Sequence, residues 1–322
     1  MKRGALFALL LLLVCAGIEL YLLTVLNEYS YKKQYVEQHS EDIQLLILGH
    51  SHVANGINPK LLDIGAFNMS NQGRTTYYDA VLAERYIPQL KNLQYVIWPL
   101  GYNFQYSSYR YLCIHRKDVD YASSYKCMYE KYMNIPYDIS GIYWSELLHS
   151  KLNYGRRIFS SSKNFFASGI CDTLGFEGLD IAKRNLTWQT EKLPFEVDYK
   201  NSNADLALAE NISCMKRIAK VCKDTHVTLI VVSTPCYKTY LELTTPKGLK
   251  EMSDCIDSMK SVNPMLEYYN YIIEILRMNK VLQLIYINDD RFVEEDFFNS
   301  CHLSIVGANK FTRIIATECL QR

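Results

Sequence analysis

The sequence has almost no net charge: 35 Lys+Arg stand against 34 Asp+Glu over 322 residues, a formal +1. No polybasic tail offsets that balance. A chain of this kind lacks the phosphate-neutralising surface that a nucleic-acid partner requires. It is also poor in glycine and proline, 14 and 8, which excludes low-complexity and collagen-like chains. Its ten cysteines form no CxxC pair and no His/Cys group at zinc spacing, so the pattern points to no metal. Nor does a Gly-rich phosphate loop follow the first apolar run, where Gly49-His50-Ser51-His52 stands instead. That argues against a flavodoxin-like cofactor protein, and no cofactor is expected. What is present is 49% apolar and only 21% charged residues, enough to bury a sizeable core in one large or two modest domains.

Behind Met1-Lys2-Arg3, residues Gly4 to Leu26 are mostly apolar and would span roughly 34 Å as a helix, enough to cross a bilayer. The charge in front and the near-absence of charge inside predict an N-in orientation. Glu19 interrupts the run, and a charge deep in a span costs about 2.5–3.5 kcal/mol. Two readings follow for residues 1–26: an uncleaved transmembrane anchor, or a cleaved signal. Either places the rest of the chain outside the cytoplasm. Nine cysteines lie beyond Cys15, an odd number, so at least one is free or pairs between chains. Cys113 and Cys127 could be bridged in an oxidising compartment, whereas Cys222, Cys255 and Cys319 sit in apolar contexts as small buried hydrophobes.

Residues 27–42 read as a juxtamembrane linker or first helix. Continuous apolar runs of the kind seen in strands buried on both faces then follow: Gln44 to Leu48, Ala66 to Met69, Tyr95 to Leu100, Val227 to Ser233 and Val281 to Ile287. Helix-length amphipathic stretches alternate with them: Thr76 to Ile87, Ala204 to Cys222, Pro264 to Met278 and Ser304 to Cys319. This alternation predicts an α/β fold with a central parallel sheet and helices on both faces, its ligands binding beyond the carboxyl ends of the strands. The segment at about 104–200 breaks the rhythm. It is rich in tyrosine and serine and reads as a helical and loop insertion, a lid or specificity region; its aromatic rings suit packing or surface, or alternatively a sugar-stacking groove.

The first run ends in Ile47-Leu48-Gly49-His50-Ser51-His52, where a strand-end turn would project the Ser51 hydroxyl into the crevice. The second ends in Asn68-Met69-Ser70-Asn71-Gln72-Gly73, a glycine whose backbone could approach a substrate. The third ends in Gly101-Tyr102-Asn103, whose amide could donate a second hydrogen bond. Asn299-Ser300-Cys301-His302 precedes the last helix. His52, adjacent to Ser51, points elsewhere and suits a structural or substrate-contacting role; His39, His115, His149 and His226 have no comparable setting.

Ser, Gly, Asn and His in this order at strand ends resemble the SGNH (GDSL-like) hydrolase superfamily. More narrowly, Leu46 to His52, Gly56 to Pro59, Tyr286 to Phe292 and His302 to Ala308 look like the membrane-anchored bacterial branch tied to cell-envelope polymer modification. The resemblance covers about 43–104 and 227–318, not the insertion. It implies a flavodoxin-like three-layer α/β/α domain over 43–322, the SGNH hydrolase fold. It also implies Ser51 as nucleophile, His302 as general base, and an oxyanion hole from the backbone N–H groups of Ser51 and Gly73 with the Asn103 side chain. Two positions depart from the family. His50 replaces the Asp before the nucleophile, and Asn299 replaces the carboxylate three residues before the base. Asn299 can hold the imidazole but supplies no charge to imidazolium, an exchange that costs about ten-thousand-fold in a serine protease. Asp289, Asp290 or Asp296 could substitute if the loop folds back.

The expected function is therefore an exported, membrane-anchored serine esterase or O-acyltransferase acting through an acyl-serine intermediate. Its implied partners are an acylated carbohydrate or cell-envelope polymer, the membrane through the N-terminal helix, and a membrane acyl-transfer protein. The alternative, motivated by Asn299, is a catalytically weak or inactive binding or assembly protein for envelope polysaccharide.

Overall fold

The computed structural model describes residues 2–101, 104–108, 116–136, 170–185, 204–241, 246–271, 274–278, 281–285 and 291–320. In chain order its main elements begin with helix α1 (Lys2–Thr24), α2 (Glu28–Gln38), strand β1 (Leu45–Ile47), the single-turn α3 (Ser51–Ala54), β2 (Ala66–Asn68) and α4 (Thr76–Tyr86). There follow β3 (Tyr95–Pro99), α5 (Arg116–Met133), α6 (Ala204–Asp224), β4 (Thr228–Ser233), α7 (Pro246–Lys260), β5 (Glu267–Asn270), β6 (Glu274–Met278), β7 (Val281–Ile285) and α8 (Ile305–Ile315). The central sheet has the order β2-β1-β3-β4-β5, and every pairing in it is parallel. This is the expected α/β architecture, with an apolar helix at its N-terminus.

The continuous apolar runs are explained by the pleat, which sends successive side chains to opposite faces. Leu45 and Ile47 join Ile97, Ile230 and Val232 in a layer closed by Phe311 and Ile315 of α8. Leu46 and Leu48 join Val96, Trp98, Leu229 and Val231 in the opposite layer, under Leu82 of α4, Ile218 of α6 and Met252 of α7. With helices on both faces the central strand positions are apolar, and each large side chain buried contributes about 1.5–3 kcal/mol.

Two expectations about the C-terminal third are corrected. Pro264 to Met278, expected as a helix, contains β5 and β6. Its run of aromatic residues, Tyr268 and Tyr269 among them, suits a half-buried strand, and Glu267 pairs with Ile230 at the sheet edge. Val281 to Ile287, expected as a buried parallel strand, forms β7 over Val281–Ile285 and pairs antiparallel with β6 in a separate two-stranded sheet. Pairing with the preceding strand closes a short loop, which is entropically cheaper than threading a strand into the central sheet. Helix α7 was not anticipated, although Pro246 at its first position is a start signal.

Helix α1 is long and apolar enough to cross a membrane, and Leu6, Phe7 and Leu9 to Leu13 are exposed along it. Its last turns meet α5: Lys131 pairs with Glu19 at 2.8 Å, and the Tyr132 hydroxyl donates to the Leu22 carbonyl at 3.1 Å. The next stretch is ordered as α2. The Asn27 side chain accepts from the backbone N–H groups of Tyr29 and Ser30, and the Ser30 hydroxyl accepts from Asn27 N, a reciprocal cap. Tyr29, Lys32 and Val36, spaced by three and four, form its buried face. In the insertion, the described parts are 104–108, α5 and 170–185; the remainder, with Cys113, lies outside the described residues. Tyr129 of α5 stacks on Tyr78 and meets Tyr29 edge-on, so part of the tyrosine excess is core packing.

Candidate active site

The turn that presents Ser51 depends on a glycine. Gly49 leaves β1 with φ near 125°, and a Cβ there would stand 2.2 Å from Cδ of Pro99, the last residue of β3. Only glycine fits both the conformation and the space. The chain then turns into α3: His50 caps it, with Nδ1 accepting from His52 N at 3.4 Å, and Ser51 is its first residue. The Asn68 amide, at the end of β2, donates to the carbonyls of Val53 and Ile57 at 2.9 and 3.0 Å. The serine turn is thus tied to the neighbouring strand.

His302 arrives on a tight turn before α8. Phe298 N donates to the His302 carbonyl at 2.9 Å, and Leu303 bridges back to Phe297. The turn closes around the side chain of Asn299, whose Oδ1 accepts from His302 N at 2.9 Å and Cys301 N at 3.1 Å. Two backbone donors identify that atom as the amide oxygen. His302 Nδ1 lies 3.0 Å from the same oxygen, so Nδ1 carries the ring proton and Nε2 is the lone-pair nitrogen. Nε2 lies 2.8 Å from Ser51 Oγ. The result is a continuous line from Ser51 through His302 to Asn299, with the serine proton directed at a base. Burial holds the His302 pKa down at about 4, which keeps the imidazole neutral.

No carboxylate among the described residues occupies the Asn299 position. Asp296 is buried and engaged by Lys310 and by Val293 N at 2.8 Å. Asp289 and Asp290 lie outside the described residues, as does Asn103. Gly73 sits in the turn after β2 with φ near 62°. Asn71 N of that turn donates to the Gly49 carbonyl at 3.2 Å, beside the serine loop. The turn is held from several sides: Arg74 donates to the Met69 carbonyl and the Asn71 side chain, Lys32 to the Ser70 carbonyl, and Gln72 to Asn55 and Glu177. Arg74 is itself fully buried against Asp79 and the Tyr129 hydroxyl, and Trp98 Nε1 donates to Asp79 at 2.9 Å.

His52 stands beside this line rather than in it. Its Nδ1 is 3.2 Å from Thr234 Oγ1, at the end of β4, and its ring is 5.3 Å from that of His302, edge-on. Burial, reinforced by His302, lowers its pKa to about 3. His50 is also held low, first by burial and then by His52; it stacks on Phe104. Two participants escaped the sequence reading. Thr234 directly follows the fourth apolar run, a strand-end position that could have signalled it. Cys301 puts Sγ 3.3 Å from His302 Nδ1 and 3.5 Å from Asn299 Oδ1. Burial pushes its thiol up to about 12, so the free group is protonated.

No family model and no curated protein matches the chain. Fifteen solved chains match it in structure. One, described as a candidate platelet activating factor from Streptococcus pneumonia, shares 10% identity over 97% of each chain with a TM-score of 0.41. That is a loose likeness of chain path, and nothing in the chemistry rests on it.

Proposed function

We propose that this chain is a serine hydrolase of the esterase or O-acyltransferase kind, with Ser51 as nucleophile and His302 as base. The observation that carries the reading is the line Ser51 Oγ, His302 Nε2, His302 Nδ1, Asn299 Oδ1, with separations of 2.8 and 3.0 Å across its two hydrogen bonds. A serine hydroxyl becomes a competent nucleophile when a positioned base removes its proton. In the first half-reaction, Nε2 takes the Ser51 proton as Oγ bonds to the acyl carbon. The resulting oxyanion is assigned to the backbone N–H groups of Ser51 and Gly73 and the Asn103 side chain. The Ser51 N–H is at the first position of α3, where no intrahelical acceptor exists. The proton then passes from His302 to the leaving oxygen, whose bond to the acyl carbon breaks. In the second half-reaction a hydroxyl, of water or of a glycan, loses its proton to His302 as its oxygen bonds to the acyl carbon; the bond from that carbon to Ser51 Oγ then breaks, and His302 returns the proton to the serine.

Asn299 shapes the rate. Its oxygen fixes the tautomer that leaves Nε2 free to accept, which a neutral amide does as well as a carboxylate. It adds no charge when imidazolium forms. This supports a slow enzyme, and it is the one observation favouring the second reading, a binding or assembly protein on the same fold. The N-terminal helix, with Lys2 and Arg3 at its start, supports a single-pass protein whose 43–322 domain lies outside the cytoplasm and acts on an acylated envelope polymer. A fluorophosphonate probe and p-nitrophenyl acetate, applied to the wild type and to Ser51→Ala, separate the two readings. Labelling and turnover that disappear with Ser51 are expected. Their absence in the wild type would leave the binding protein.

A further inference from the structure

Residues 171–179, near the end of the insertion, touch each stretch of chain that the proposed chemistry uses. Asn68 N, in β2, donates to the Leu174 carbonyl at 2.9 Å; Glu177 N donates to the Ala54 carbonyl, in the serine helix, at 3.0 Å; and Ile305 N, three residues after His302, donates to the Leu179 carbonyl at 2.9 Å. The approach to β2 depends on Gly175, whose φ is near 82° and where a Cβ would stand 2.0 Å from the Asn68 carbonyl oxygen. Phe176 is buried in one layer with Val53 and Ile57. At the centre, Glu177 closes a ring of side chains. Gln72 Nε2 donates to Glu177 Oε2 and to Asn55 Oδ1, each at 2.9 Å, and Asn55 Nδ2 donates to the Glu177 carbonyl at 2.6 Å. Asn55 is the C-cap of α3, the helix that Ser51 opens. Lys32 holds the second carboxylate oxygen, Oε1, at 2.5 Å.

We propose that Glu177 is a positioning residue for acyl transfer, fixing the Gln72-Gly73 peptide against the serine turn. With both oxygens engaged and only 6% of its side chain exposed, Glu177 acts through Gln72 and not on the substrate. Gln72 supplies the carbonyl half of the peptide whose nitrogen belongs to Gly73, so its side chain, held at two points, sets where the Gly73 N–H is aimed. Such a donor acts only if it is already in place when the oxyanion forms, and a misplacement of about an ångström can cost on the order of a hundredfold in rate. Two acceptors from different parts of the chain, Asn55 and Glu177, leave Gln72 one orientation. This inference rests on the serine-hydrolase reading and on Gly73 as an oxyanion donor.

The test uses the full chain in detergent and measures kcat and KM for p-nitrophenyl acetate, with kcat counted per serine that a fluorophosphonate probe can label, beside the denaturant midpoint. Gln72→Met removes the contact and leaves the Lys32–Glu177 pair in place. Lys32→Met with Glu177→Met removes the contact from the other side without leaving a buried charge unpaired, an exchange that folds tolerate. Each should lower kcat per labelled site on the order of ten- to a hundredfold with KM unmoved, as for an interaction made only in the transition state. The three substitutions together should be no slower than the slower of the two, because both act on one contact. Wild-type kcat in both variants, a raised KM at unchanged kcat, or a loss that vanishes once counted per labelled serine overturns the positioning role and leaves the hydrolase reading intact. Effects that multiply in the combined variant overturn the shared contact. A wild-type chain that is never labelled overturns the hydrolase reading and the positioning role with it.

Discussion

Asp79 and Asn299 occupy two polar centres built on opposite logic. Around Asp79, charge is buried without reserve: Arg74, Trp98 and Tyr129 surround it, and both members of the ion pair have no exposed side-chain surface. Around His302 there is no formal charge from end to end, only hydroxyl, imidazole and amide. The fold therefore accommodates a buried carboxylate where the carboxylate braces the 69–74 turn, and does without one beside the imidazole. A neutral line has no resting charge to desolvate, so it is inexpensive to fold. It also gives nothing back when imidazolium appears, so the barrier to chemistry stays high.

The largest effect that would break this contrast is removal of the charge that belongs to the scaffold. Arg74→Met leaves Asp79 buried and uncompensated and should cost about 3–5 kcal/mol of stability, read from the denaturant midpoint. An unchanged midpoint would mean that the pair carries little of the fold.

Acid should act on the other centre. His50, His52 and His302 are held neutral by burial, whereas in the unfolded chain they bind protons below about pH 6.5. The unfolded state then holds more protons, so stability falls as pH drops from about 6.5. The slope is about 1.4 kcal/mol per pH unit for each imidazole, and it continues until the folded values, about 4 for His302 and about 3 for His52, are reached. Urea midpoints that stay level between pH 7 and pH 5 would contradict this.

Next in size is Asn299→Asp, which gives His302 the missing charge. Ester turnover should rise on the order of ten- to a hundredfold, a fraction of the loss seen for the reverse exchange in a protease. The acid limb of kcat/KM should move up from about pH 4, because a carboxylate favours imidazolium. A variant no faster than the wild type would show that the amide is not what limits the rate. The smallest effect is expected at the periphery. Lys131→Ala removes the partner of Glu19 at a partly exposed pair, and should change stability by less than about 1 kcal/mol.

Much of this arrangement was legible in the sequence, for reasons that also explain what was not. Leu45 to Leu48 and Tyr95 to Leu100 read as strands because both faces of the sheet are covered, and Ser51 read as exposed to the crevice because a glycine stands two residues before it. His302 and Asn299 were singled out through the resemblance that the order of Ser, Gly, Asn and His suggested. The hairpin of β6 and β7 was misread because a short apolar run does not reveal its pairing partner. The edge strand β5 was misread because three half-buried residues and an exposed one also fit a helix face. The His52 and His302 rings meet from α3 and from the turn before α8, so spacing along the chain could not show their contact. Thr234 and Arg74 become meaningful only once the strand ends are adjacent.

Helix α2 links the N-terminal helix to the second strand-end turn. Lys32 projects from its buried face to the Ser70 carbonyl and to Glu177, and Glu177 also accepts from Gln72, beside Gly73. One buried ion pair, Lys32 with Glu177, therefore joins the first helix of the domain to the turn that carries Gly73.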